Sequence, residues 1–330
     1  MCQVPRAAAE PGEPMHLMVY LPLALPLLAA LAAWPLAGRL PPAAATWLLA
    51  GSAVALAAAS SAGLGLLALT ALLRIPVIDQ AGGMSVQAYT RDDPASLPVA
   101  VAAGALLAVS LTAAGRALWR RGSALAAAFG QARRLPGAGQ VVVTDDEAAD
   151  AYTLPGWPCR IVVTAGMMRA LTGPEREVLL AHERAHAAWF HYVFTSAARL
   201  AAAANPLLRP VAATVGYTVE RWADEHAAAV TGNRPLAARA VAQAAIAAAA
   251  DPPRGPGPPV ALGAATLSPG RRGPGPVPHR VAALLRPPPR PQLLLLAVAV
   301  LLVAVSGLSA LEASRDLHNL LELAQAAARS

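Results

Sequence analysis

Four long apolar runs divide the chain: residues 18–38, 43–73, 97–115 and 292–311. Each approaches or exceeds the roughly 20 residues that an α-helix needs to cross a hydrocarbon core. The polar, Pro-containing residues 1–17 ahead of the first run read as a disordered leader. That run does not have the form of a cleavable signal, because a charged flank is missing before it and a second span follows closely. The second run carries no charge and is rich in Ala, Gly and Ser, residues that let helices approach closely in lipid. A polar loop at 74–96 separates the second and third runs, and a short tail, 312–330, follows the fourth.

Between the third and fourth runs the pattern changes. A basic helix is expected over about 113–134. Two β runs, VVVT and RIVVT, follow within residues 139–166, bridged by a Pro- and Gly-containing turn region. A helix start comes next. Thr172 is placed to cap it, Pro174 sits early, and Glu175 and Glu177 lie in the first turn. This helix runs through LLAHERAH. Asn205-Pro206 and Pro210 break the next apolar stretch, and a further helix over 211–230 ends at Gly232-Asn233. Residues 251–291, dense in Pro, Gly and Arg, read as a linker interrupted by a short helix at 281–285. No internal repeat is visible. The fold class is therefore mainly α: polytopic membrane helices carrying a small α+β domain over 116–250.

Composition supports this division. The chain is 56% hydrophobic and 14% charged, with a mean hydropathy of +0.47, whereas soluble domains carry nearer a quarter charged residues. The formal net charge is +7, and all 26 cationic side chains are arginines. Aromatics make up 4%, and the arginines flank apolar runs, so topology explains them better than nucleic-acid binding. Arg116, Arg120, Arg121, Arg133 and Arg134 follow the third run, and Arg271, Arg272, Arg280, Arg286 and Arg290 precede the fourth. The positive-inside rule then places 116–291 in the cytoplasm and the N-terminus, loop 74–96 and the tail outside. The expected location is the bacterial plasma membrane, with the bilayer as one partner. Cys2 and Cys159 are too few and too far apart for a disulfide framework.

His182, Glu183 and His186 form HExxH. On a helix, residues i and i+4 lie about 40° apart, so both imidazoles can reach one ion. Glu183 points to the side of that face, where it can take a proton from a zinc-activated water without binding the metal. Hydrolytic zinc needs three protein ligands and one open position. Glu220 is a candidate third ligand. Asp224, one turn further, can accept the ring N–H of a ligand histidine. The alternative is a solvated helix face on which Glu220 and Asp224 pair with Arg221. His191 falls about 180° from His182 on the helix wheel, and His226 lies off the Glu220 face. Both read as ordinary surface or interfacial histidines. Asp145 and Asp146 follow a strand and read as a turn. CRIVVTAG (159–166) is a candidate edge strand for a peptide substrate.

IVVTAGMMRALTGPEREVLLAHERAH, then NPLLRP, then ERWADE, resemble the BlaR/MecR-type integral-membrane zinc peptidases, gluzincins with HExxH and ExxxD motifs. HtpX-type membrane quality-control peptidases are similar in the same motifs. The resemblance is close over about 140–230 and loose over the spans. It implies a zincin-like domain holding one Zn2+ through His182, His186 and Glu220, with Glu183 as general base and Asp224 behind a ligand. It further implies regulatory proteolysis of a cytoplasmic transcriptional repressor, of winged-helix type, within signal transduction. Quality-control proteolysis of membrane proteins is the alternative. Ala223 stands where family members often carry Cys, and 312–330 is too short for a penicillin-binding sensor. A non-catalytic scaffold would have no reason to keep the base. A transporter-like bundle is disfavoured, because the spans hold no intramembrane charged pair.

Overall fold

The computed structural model describes residues 15–72, 97–137, 139–250, 262–263, 276–288 and scattered positions between 292 and 315. Residues 1–14, the loop 74–96, most of the linker 251–291, and nearly all of the fourth apolar run and the tail lie outside the described residues.

Three long helices open the fold: α1 (Met15–Arg39), α2 (Pro42–Leu72) and α3 (Leu97–Arg134). Pro42–Leu69 and Leu97–Arg134 are long and apolar enough to cross a membrane, and Leu23–Arg39 is a shorter apolar stretch. The third apolar run and the basic helix after it form one 38-residue helix. No proline falls at the junction, so the helix continues while its side chains turn from apolar to arginine. Leu31, Val54, Val109 and Leu111 point outward from these helices. Water would penalise such contiguous apolar surface.

A four-stranded sheet follows: β1 (Val141–Thr144), β2 (Ala151–Leu154), β3 (Arg160–Thr164) and β4 (Leu262–Gly263), in the order β1-β3-β2-β4. β1 pairs parallel with β3, and β2 pairs antiparallel with both β3 and β4. The expected edge role for CRIVVTAG is therefore overturned. All five residues of β3 are buried and both of its sides are hydrogen-bonded, so an extended peptide cannot add there. β2, AYTL, was hidden in the sequence because it is short and lies between turn residues.

Gly166 opens α4 (Ala165–Ala170) under the 145–149 turn. A Cβ on it would run into the Glu147 carbonyl and the Ala148 backbone, and backbone atoms leave nothing flexible to yield. Gly166→Ala is expected to destabilise by about 3 kcal/mol, the upper end for overpacking. A thermal midpoint equal to that of the wild type would refute the close approach.

The remaining helices are α5 (Gly173–Ala188), α6 (His191–Ala204), a 3-10 turn at Pro206–Leu208, α7 (Arg209–Thr231), α8 (Arg234–Ala250) and α9 (Pro276–Leu284). α5 starts as the sequence predicts. Glu175 accepts from the Thr172 N–H and hydroxyl at 2.9 and 2.7 Å, and its other oxygen receives Arg239 of α8 at 2.9 Å. Asn205 breaks α6 from α7, its Oδ1 accepting the Leu207 N–H at 3.1 Å. The α6–α7 hairpin does not stand apart from the long helices. Phe194, Ala198, Val211, Val215 and Val219 share one core with Ala33, Leu49, Ala53 and Leu56 of α1 and α2. Polar contacts fix the register: Thr46 to Thr218 at 2.9 Å, Asn205 to Ser60 at 3.1 Å, and Arg221 to the Ala37 carbonyl at 3.4 Å.

Candidate metal centre

α5 and α7 cross so that one face of each meets the other. His182, Glu183 and His186 of α5, and Glu220 and Asp224 of α7, are all buried there. Nε2 of His182 lies 3.0 Å from Nε2 of His186. Glu220 brings Oε2 to 3.5 Å from the first ring nitrogen and Oε1 to 3.6 Å from the second. These three residues form the metal-competent group among the described residues. Ligand bonds of about 2.0–2.2 Å in a tetrahedron put donor atoms about 3.3 Å apart. The observed separations, two of them to different oxygens of Glu220, lie near that value, so the three residues fit a zinc ion. Two histidines, one carboxylate and one open side are also the donor set of hydrolytic zinc.

The solvated-face alternative for Glu220 and Asp224 does not hold. Their exposures are 9% and 2%, and Arg221 turns away toward Ala37 and Glu225. Asp224 Oδ1 lies 3.0 Å from His182 Nδ1, behind the ring nitrogen that faces Glu220. Glu183 stands to the side, 1% exposed, and takes the Thr153 hydroxyl of β2 on Oε2 at 2.8 Å. Burial, opposed by the charge of His182, lifts its carboxyl to about 7. Burial works against charge on His182 as well, but the Asp224 and Glu220 carboxylates beside its ring outweigh it and raise the imidazole to about 10.

Two residues of the site escaped the sequence reading. Arg280, on α9, comes from the segment read as linker. It grips Asp224 bidentately, Nε to Oδ2 and Nη2 to Oδ1, both at 2.7 Å, and its Nη1 lies 3.1 Å from Glu220 Oε2. Burial opposes ionisation of Glu220, but the Arg280 charge beside it holds its carboxyl down at about 2. A signal for Arg280 existed. Two buried carboxylates on one helix face demand a cation, and local sequence offered none but Arg221.

His191 is the second. The helix wheel failed because α5 ends at Ala188. Phe190 takes a left-handed backbone (φ 49°), and α6 starts afresh at His191. The new direction buries His191 completely and sets its Nδ1 2.9 Å from Nδ1 of His186. His226 is half-buried and lies outside the donor group. Asp145 and Asp146 are exposed, and Asp146 makes the expected turn by accepting the Ala148 N–H at 3.0 Å.

Two clefts reach the centre. One lies between α5 and the α8–α9 pair, with Val178, Val241, Ala244 and Val277 beside His182 and Glu220. The other lies against the β2–β3 turn, with Thr153, Cys159, Phe190 and Tyr192 beside His186. Residues 114–209 match the family model for Peptidase family M48. No curated protein and no solved structure matches the chain. The match takes in the end of α3, the strands β1–β3, the whole HExxH helix and His191, and stops before Glu220. M48 peptidases are zinc metallopeptidases, so the match and the metal-competent trio support metallopeptidase function for this chain.

Proposed function

We propose that this protein is an integral-membrane zinc endopeptidase of the bacterial plasma membrane. Its α1–α3 cross the bilayer, residues 116–250 together with β4 and α9 form the catalytic part on the cytoplasmic side, and a fourth span follows over 292–311. The observation that carries the reading is the convergence of three buried donor atoms, from His182, His186 and Glu220, beside a buried glutamate that is not among them. Those three residues hold the ion, and Asp224 orients His182 through its Nδ1. Bound there, zinc supplies the Lewis acidity that makes water nucleophilic near neutral pH. Glu183 accepts the proton of the attacking water at its carboxylate and passes it to the departing amine nitrogen. The Thr153 hydroxyl, donating to Oε2, keeps that carboxylate beside the donors.

The substrate is a cytoplasmic or membrane-proximal protein. The resemblance to BlaR/MecR-type peptidases favours a transcriptional repressor of winged-helix type, cleaved in response to a signal. His182→Ala is expected to remove one of three ligands. Purified full-length wild type in detergent should carry about one zinc per chain and degrade casein, and His182→Ala should do neither. Full zinc occupancy in the variant, measured by elemental analysis, would sink the ligand assignment.

A further inference from the structure

We propose that His191 is a positioning residue that fixes the ring of His186 and selects the tautomer in which Nε2 is free for the metal. The inference rests on the zinc reading given above. His186 Nε2 faces the donors, 3.0 Å from His182 Nε2 and 3.6 Å from Glu220 Oε1. Its proton must then sit on Nδ1. The atom within hydrogen-bond distance of Nδ1 is Nδ1 of His191, at 2.9 Å. His186 donates, and the His191 lone pair accepts. That forces the His191 proton onto Nε2, which is buried and without a hydrogen-bond partner among the described residues.

Such an unmet buried N–H is unfavourable, so the pair is not explained by stability. It is explained by what His186 gains. One group stands behind each Nδ1 at the donor set: the Asp224 carboxylate, with Oδ1 3.0 Å from His182 Nδ1, and His191 for His186. The second group is neutral. The centre already gathers Glu183, Glu220 and Asp224 around the Arg280 guanidinium, and a fourth carboxylate would add buried negative charge. The Phe190 left-handed turn is what delivers this acceptor. Continued as one helix, α5 would carry residue 191 to its far side. The ring of Trp222, on α7, packs against His191 with centroids 4.7 Å apart and holds it in place.

The test compares His191→Asn with His191→Phe in the full-length protein. Asn sets its Oδ1 where His191 has Nδ1, and so keeps an acceptor while leaving a void. Phe keeps the ring shape and removes the acceptor. Zinc affinity, measured by chelator competition, should fall about 10–100-fold in His191→Phe and stay within a few-fold of wild type in His191→Asn. The absorption spectrum of the cobalt-substituted protein should change in the first variant and not in the second. Thermal midpoints of the metal-free proteins should run the other way, with Phe at least as stable as Asn. A residue serving packing alone predicts tighter zinc binding in Phe than in Asn, and that order would overturn the proposal. Wild type that binds no zinc would instead overturn the zinc reading itself, and this proposal with it.

Discussion

Glu183→Gln is expected to leave zinc bound and to lower proteolysis by about 10²–10⁴-fold, the usual contribution of a general base. The site argues for both halves of that result. Glu183 is not one of the three residues whose donor atoms converge, so its loss leaves the ion held. The amide of Gln can still accept the Thr153 hydroxyl now received by Oε2, so the side chain stays in place with its geometry nearly unchanged. What disappears is a carboxylate able to take a proton. Casein cleavage and zinc content should be measured on the same preparation. Wild-type cleavage would remove Glu183 from the chemistry, and loss of zinc together with activity would make it a ligand instead.

The second large effect belongs to Arg280. Arg280→Leu is expected to destabilise the metal-free protein by about 3–5 kcal/mol, the range for leaving a buried charge without its partner. Exposed ion pairs contribute about 1 kcal/mol or less. Arg280 is not exposed, and it serves two carboxylates, Asp224 through a two-pronged contact and Glu220 through a third nitrogen. Arg280→Lys should fall between the two. It keeps the charge and loses the fork that spans both acids. Zinc should narrow the deficit of the Leu variant, since the ion brings positive charge to the same carboxylates. Denaturant unfolding with and without added zinc reads both effects. A Leu variant within about 0.5 kcal/mol of wild type, the usual scatter of surface changes, would show that the guanidinium is not what balances the acids.

Legibility in the sequence followed the range of the interactions involved. HExxH is local, and helical spacing alone brings His182 and His186 together. Glu220 could be named because one break, at Asn205-Pro206, lies between two readable helices. The capping of α5 by Thr172 and Glu175 was also legible, because a cap is written within four residues. Contacts that depend on tertiary folding were not. Arg280 reaches Asp224 across 56 residues, from a Pro- and Arg-rich stretch with the composition of a linker. β2 is four residues long and owes its place to pairing with β3 and β4. His191 was misplaced by one backbone angle. A periodicity argument assumes a continuous helix, and nothing in the side chains of Trp189-Phe190 announces the left-handed turn between α5 and α6.

The register between α7 and the first two helices bears on which bonds the enzyme can reach. Glu220 sits next to Arg221, whose guanidinium touches the Ala37 carbonyl two residues before α1 ends at Arg39. Two turns earlier on α7, Val211 and Val215 are wedged against the apolar helices. With α1 and α2 crossing the bilayer as proposed, the zinc centre is held at a set height, close to the membrane surface. It cannot rise to meet a distant substrate without unpacking that core. The site therefore works like a blade on a fixed mount. A protein qualifies for cutting first by having an extended segment that hangs at this level, and only then by its side chains.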